Sequence, residues 1–236
     1  MKYLVLAALL GCHSPELVTA LARGDIATAN QLLDHHADLA AEDESGDSAL
    51  MLATWHGDAA LVKRMILAGA DPNHANAFGA TALHWAVDDP DKVRVLLDAG
   101  ANPNARDSTD ATPLARAAER DGNTDTIAMM LAHGADPKLV GDRLGGDAAT
   151  LPALIAGGAP TKHALIYAAI AGHVDAVEVL LARHVDPNTT GNLGMTALMW
   201  AAEQGYTDVV EALLAGGANP NIVASFNRST ALIHAA

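Results

Sequence analysis

MTALMWAAEQGYTDVVEALLAGGANPN, residues 195–221, decides how the rest of the chain is read, because the other segments are better or worse copies of it. A polar lead-in ends at Thr196, whose hydroxyl can cap the free amides of a first apolar helix, TALMWAA. Ala201 and Ala202 keep that helix thin enough for close stacking. Gly205 breaks it, and a second helix carries Val209, Val210, Leu213 and Leu214. Gly217 accepts the left-handed conformation that stops the second helix, and Pro220 forbids a restart nearby. Each helix has an apolar face that only another copy can cover, so such a unit is stable only in a stack, and stacks of this kind act by contact.

The copies fall in register when the leucine of the TAL triplet serves as marker. Leu17, Leu50, Leu83, Leu114, Leu139, Leu165, Leu198 and Leu232 are separated by 33, 33, 31, 25, 26, 33 and 34 residues. The first-helix signature recurs as SALMLAT (48–54), TALHWAV (81–87), TPLARAA (112–118), HALIYAA (163–169), TALMWAA (196–202) and TALIHAA (230–236). The second-helix exit recurs as GADPN (69–73), GANPN (100–104), GADPK (134–138), HVDPN (184–188) and GANPN (217–221). A period near 33 with this pair of signatures resembles the ankyrin repeat family, bacterial-type, over nearly the whole chain from Ser14 onward. The resemblance implies an all-α repeat solenoid of stacked helix-turn-helix units joined by short β-hairpin or loop connections. It also implies a protein partner held by a non-enzymatic scaffold.

Composition agrees. Aromatic residues make up 3% of the 236 positions and hydrophobic residues 50%, which describes a core of Ala, Leu, Val and Ile suited to thin stacked helices. The net charge of −14 argues against nucleic-acid binding, which needs clustered Lys and Arg, and points to solubility or to a basic partner. One cysteine, Cys12, excludes an internal disulfide. The expected state is a monomer without a cofactor.

Residues 1–12 read as a lipoprotein-like signal segment, with Lys2, an apolar run from Tyr3 to Leu10, and Gly11-Cys12 where lipidation would fall. On this reading the protein is exported, periplasmic or membrane-anchored, with acyl chains on Cys12 as the anchor, since the run is too short to span a bilayer. In the alternative reading, VLAALLG forms a helix on the first repeat and the protein is cytoplasmic. Residues 13–236 form the repeat domain, about seven repeats plus the first helix of another. The first repeat is more polar, as a capping unit must be. In the third, Asp88-Asp89-Pro90-Asp91 replaces the glycine turn. From 136 to 162 the pattern shortens: the second helix is expected to survive with Pro152 kinking its middle, giving either a pocket or hinge, or simple decay of a repeat. The last segment, STALIHAA, stops within a first helix, which suggests an N-terminal piece of a longer protein.

Eleven histidines raise a metal or catalytic reading, but His84, His173, His36, His133 and His184 hold repeat-framework positions. Only His35-His36 near Glu42-Asp43-Glu44 forms a local cluster, and no metal or catalytic site is assigned. Cys-x-x-Cys pairs, a phosphate-cradling glycine loop and a nucleophile elbow are absent. What remains is surface. The resemblance places the partner on the concave face, built from hairpin tips and the two variable residues before the first-helix glycine. Those helix positions are Trp55-His56, Asp88-Asp89, Glu119-Arg120, Ile170-Ala171 and Glu203-Gln204, and the tips include Asn76, Phe78, Asp107, Thr109, Asn192, Leu193 and Phe226. Trp55 and Phe78 are large apolar groups where the scaffold needs none, and so are candidate anchors. Trp85, Tyr167 and Trp200 read as packing residues. The runner-up function is the recognition or spacer arm of a longer enzyme or electron carrier.

Overall fold

A computed structural model describes residues 16–120, 122–141, 144 and 148–235. Cys12 and the signal-like segment lie outside the described residues. The chain divides into two compact units, 1–113 and 114–236.

In the first unit the helices come in pairs: α1 (Glu16–Ala22) with α2 (Ile26–Asp34), α3 (Ala49–His56) with α4 (Ala59–Leu67), and α5 (Ala82–Trp85) with α6 (Pro90–Asp98). The first helices pack in a row, α1 on α3 on α5, and α4 packs on α6 beside them. The buried side chains Leu17, Leu21, Leu50, Met51, Met65, Leu83 and Leu96 fill the space between the rows. Side-chain caps start the helices: the Ser48 hydroxyl accepts from the Met51 amide at 3.3 Å and Asp58 Oδ1 from the Leu61 amide at 2.8 Å. The exposed carboxylate of Asp25 accepts from the amide and hydroxyl of Thr28, and those bonds hold its pKa below the usual range. Helix α5 is one turn long because Asp89 caps α6 and Pro90 opens it, and the residue before a proline is held out of the helical region. Gly57 is required by proximity, since a Cβ there would meet the Leu61 side chain at 2.6 Å and the Ala53 carbonyl at 2.7 Å.

The second unit repeats the scheme with α7 (Pro113–Ala118) and α8 (Thr124–Ala132), then α9 (Leu151–Ala156), α10 (Ala164–Ala171) and α11 (Val174–Ala182), α12 (Ala197–Gln204) and α13 (Thr207–Ala215), and finally α14 (Ala231–His234). First helices α10, α12 and α14 pack in one row and second helices α9, α11 and α13 in another. Helix α9 is therefore the second helix of the shortened segment, and among the described residues the place of its first helix holds a 3-10 turn at Pro137–Val140. Pro152 does not kink this helix. It sits in the first turn, where its missing amide has no partner to lose, and the helix simply starts late.

No strands form among the described residues. The expected hairpins are loops, two of them closed by single antiparallel bridges, Glu42 to Ser48 and Thr190 to Thr196. Second helices end in a Schellman arrangement, as at Gly69, whose amide donates to Ile66 O at 3.0 Å while Ala70 N donates to Met65 O at 3.0 Å. Two histidines occupy this left-handed glycine position, His36 at φ 55° and His184 at φ 60°. The asparagines of the exit signature link successive repeats. Asn73 Nδ2 donates to Gly100 O at 3.0 Å and its Oδ1 accepts from Asn102 N at 2.7 Å, and Asn188 makes the same pair with Gly217 and Asn219 at 3.4 and 2.7 Å.

Candidate interaction surface

Within each unit, the sequence points to side chains at the C-terminal ends of the first helices and at the loop tips. In the first unit Trp55 closes α3 with 64% of its area exposed, and His56 beside it is exposed as well. The Trp55 ring meets that of Trp85 edge-on, with centroids 5.6 Å apart and planes at 73°. Trp85 takes the position that Leu52 holds one repeat earlier, but Leu52 is buried and Trp85 only half so. Trp85 is thus part of an aromatic pair at the surface rather than an interior packing residue. Asp88 is exposed at the exit of α5, while Asp89 is occupied as a cap, its Oδ1 accepting from the amides of Asp91 and Lys92 at 3.2 and 3.1 Å. Lys92 is folded inward: its Nζ donates to Thr54 O at 2.9 Å, lies 3.4 Å from Asp89 Oδ2, and the side chain is 12% exposed.

Two tip residues read as surface groups turn inward. The Asn76 Oδ1 accepts from the amides of Phe78 and Ala80, both at 3.0 Å, and its Nδ2 donates to Asp47 at 2.6 Å. Asp107 Oδ1 accepts from the amides of Thr109 and Ala111 at 2.8 and 3.1 Å. Both are buried, because an oxygen five residues before the Thr that opens the next helix organises the loop. Asp43 does the same for the first loop, accepting from Ser45 N at 2.8 Å and Asp47 N at 2.9 Å. The signal for this role, an Asp or Asn at a constant offset, was visible in the sequence. The loop so held presents Phe78, 60% exposed, at its tip, and Phe78 O accepts from Ser108 N of the next loop at 2.7 Å. Burial pushes the Asp47 carboxyl above its usual pKa against the lowering effect of the Asn76 donor, with the Asp43 charge adding to the rise and His74 opposing it.

In the second unit the corresponding position before the helix is Gly191, which has no side chain to organise the loop. The turn runs instead through Leu193 and Gly194, both left-handed, at φ 66° and 73°. This puts an exposed Leu193 at the tip, and its carbonyl accepts from Ser225 N at 3.0 Å and Phe226 N at 3.3 Å, bringing exposed Phe226 alongside. Ile170, Glu203 and Gln204 are exposed on their helices, and Glu119 and Arg120 are exposed in the turn that follows α7. Glu203 Oε2 lies 3.6 Å from His234 Nδ1. Tyr167, read as a packing residue, is exposed too, and Trp200 is half-buried.

Histidines serve as struts. The buried His84 accepts the Thr81 amide on Nδ1 at 3.1 Å, which leaves Nε2 to donate to Ala111 O at 3.2 Å. A cleft of about 950 Å³ in the first unit is lined by Asp34, His36, Glu42, Arg64 and His74 among others, and its polar groups answer one another. Arg64 is bound by Asp34 and Asn30, and His74 Nε2 lies 2.9 Å from Gly46 O. Among the described residues no group of three His, Cys, Asp or Glu is placed to hold a metal ion, and no helix is long and apolar enough to cross a membrane.

A profile of ankyrin repeats in three copies matches residues 50–140 and 144–224. The chain belongs to the ankyrin repeat family. Ankyrin repeats are generally protein–protein interaction modules, and the fold is typically non-catalytic. Mouse cyclin-dependent kinase 4 inhibitor B is 34% identical over 92 residues, 39% of this chain and 71% of that protein. A putative ankyrin repeat-containing protein of Treponema pallidum is 30% identical over 137 residues, 57% of this chain and 45% of that one. In Schizosaccharomyces pombe, glycerophosphocholine phosphodiesterase gde1 is 40% identical over 111 residues, 42% of this chain and only 10% of its own length. The match thus spans less than half of these last two relatives. Among solved structures, the ankyrin repeat domain of human ASB11 aligns with a TM-score of 0.62 at 26% identity, covering 94% of this chain and 92% of that one. The Bcl-3 ankyrin repeat domain aligns at 0.56 with 23% identity over 94% of each chain, a likeness of fold.

Proposed function

We propose that this ankyrin chain is a monomeric, non-enzymatic scaffold that binds a protein partner on its concave face, the side carrying the first-helix ends and loop tips. The observation that carries the reading is the exposure of Trp55, Phe78, Leu193 and Phe226, large apolar side chains each left more than half open to solvent. Such groups are the anchors that dominate interfaces, and exposed polar residues at or just after first-helix ends, Glu119, Arg120 and Glu203, suit a rim. Photo-crosslinking tests it. Crosslinkers at Ile170, Glu203 and Phe78 are expected to trap one protein in the native host, while crosslinkers at Lys63, Glu178 and Glu211 on second helices trap none. Capture from the second-helix set alone refutes the reading.

Export with an acylated Cys12 belongs to the same proposal, supported by the Gly11-Cys12 box after an apolar run. Mass spectrometry of the purified protein is expected to find a chain beginning at lipidated Cys12, and an intact Met1 or Lys2 terminus on unmodified protein refutes it. A second reading, supported by the tenth of gde1 that the chain matches, makes this segment the recognition arm of a longer enzyme. Reading the gene beyond codon 236 separates the two.

A further inference from the structure

We infer that Trp55 and Trp85 form a seat for an arginine guanidinium on a basic segment of the partner, an inference that rests on the partner-face reading above and names the chemistry it would meet. Trp55 is not explained by the stack. Asp88, Glu119, Ile170 and Glu203 hold its position in other repeats, and it remains 64% exposed. Trp85 is not explained by it either, because Leu52 fills the equivalent site by burial alone. The two rings meet edge to face, an arrangement that fixes each indole's orientation while leaving the exposed Trp55 with π surface toward solvent.

The electrostatics around the pair select the ligand. The cation close at hand, Lys92, donates to Thr54 O, the carbonyl just before Trp55, and pairs with Asp89, so it braces the end of α3 instead of covering a ring. Asp88 leaves the α5 end exposed. The whole unit carries sixteen Asp and Glu against seven Lys and Arg, and Arg64, Lys92, Arg94 and Arg106 of those seven are already paired with aspartates. An exposed indole in a unit with this acidic excess attracts a cation through the ring quadrupole and through charge together. A guanidinium meets it better than an ammonium, since its plane stacks on an aromatic face while its edge keeps N–H groups free for a carboxylate. A purely apolar occupant would gain nothing from the acidic excess of the unit.

The test uses the full chain and a rhodamine-labelled Gly-Arg repeat nonapeptide, followed by fluorescence anisotropy at fixed salt, with the same peptide bearing citrulline in place of arginine. The arginine peptide is expected to bind saturably and the neutral citrulline isostere not to. Trp55→Ala is expected to weaken binding about two- to thirtyfold, the range of a cation–π contact from exposed to desolvated. Trp55→Phe should fall between, and Trp200→Leu, in the other unit, should leave binding unchanged; melting curves by circular dichroism establish that each variant is folded. Equal binding of the citrulline peptide overturns the inference, as does a folded Trp55→Ala chain that binds the arginine peptide like the parent, which would leave only diffuse attraction to an acidic surface. If the peptide fails while crosslinks from Ile170 and Glu203 succeed, the arginine seat falls and the partner-face reading stands. If those crosslinks fail, the face itself is refuted.

Discussion

Replacing Asn73 by alanine tests the claim that the exit signature couples neighbouring repeats. The side chain makes two bonds to the next repeat, from Nδ2 to Gly100 O at 3.0 Å and from Asn102 N to Oδ1 at 2.7 Å. A net hydrogen bond contributes about 0.5–1.5 kcal/mol, and here the orphaned carbonyl and amide stay within reach of water, so the expected loss is about 1–2 kcal/mol. Asn73→Asp keeps the acceptor, loses the donor and sets a carboxylate against the Gly100 carbonyl, so it should cost roughly half of that range or more. Asn188→Ala should cost less than Asn73→Ala, because its bond to Gly217 O is stretched to 3.4 Å while the bond from Asn219 N is 2.7 Å. The assay is equilibrium urea unfolding followed by circular dichroism, comparing midpoints and slopes, since a changed slope would report that units have stopped unfolding together. Asn73→Ala within about 0.3 kcal/mol of the parent, smaller than any net hydrogen bond, would refute the coupling. So would a larger loss from Asn188→Ala than from Asn73→Ala.

Other outcomes follow from backbone strain and from a buried carboxyl. His36→Gly and His184→Gly should each stabilise the chain by roughly 0.5–1 kcal/mol, the left-handed penalty relieved less the entropy glycine adds to the unfolded state. His184→Val should destabilise it, and calorimetric melting checks the order Gly above His above Val. Asp47, with its folded-state pKa raised, binds its proton more tightly in the native chain. Stability therefore falls as pH rises from the ordinary aspartate value through the raised one, and Asp47→Asn should flatten that part of a urea-midpoint profile against pH. A parent profile that rises through that window without change in Asp47→Asn would contradict the assignment.

The repeat signatures were legible because each rests on chemistry contained in a few residues: a hydroxyl before a helix, alanines within it, a glycine that ends it, a proline that forbids its return. Those local rules placed the helix pairs from 16 to 132 and from 164 to 215 and the single first helix at 231–234, and the family comparison agrees with them. They failed where position within an element mattered more than residue type. Pro152 read as a mid-helix breaker because the Gly146–Gly158 interval implied a longer helix, but α9 begins only at Leu151. His184 stands in the glycine place of the exit signature, and the structure shows that it and His36 take the left-handed conformation there despite their side chains.

At the surface the division runs between residue identity and residue direction. Register alone marked Trp55 and Phe78 as large apolar groups at positions the scaffold does not need filled, and placed Leu193 and Phe226 at loop tips. Stacking decided which neighbours share the surface with them. Asn76 and Asp107 stand at the same loops as Phe78 and Thr109, yet their oxygens are drawn inward by backbone amides that come within reach only when the loop closes. Trp85 turns from filler to partner of Trp55 because two helices from successive repeats lie side by side, 33 residues of chain apart in register but adjacent in space. A side chain's conformational preference is local and travels with the sequence, whereas its neighbours across the stack exist only once the repeats have packed.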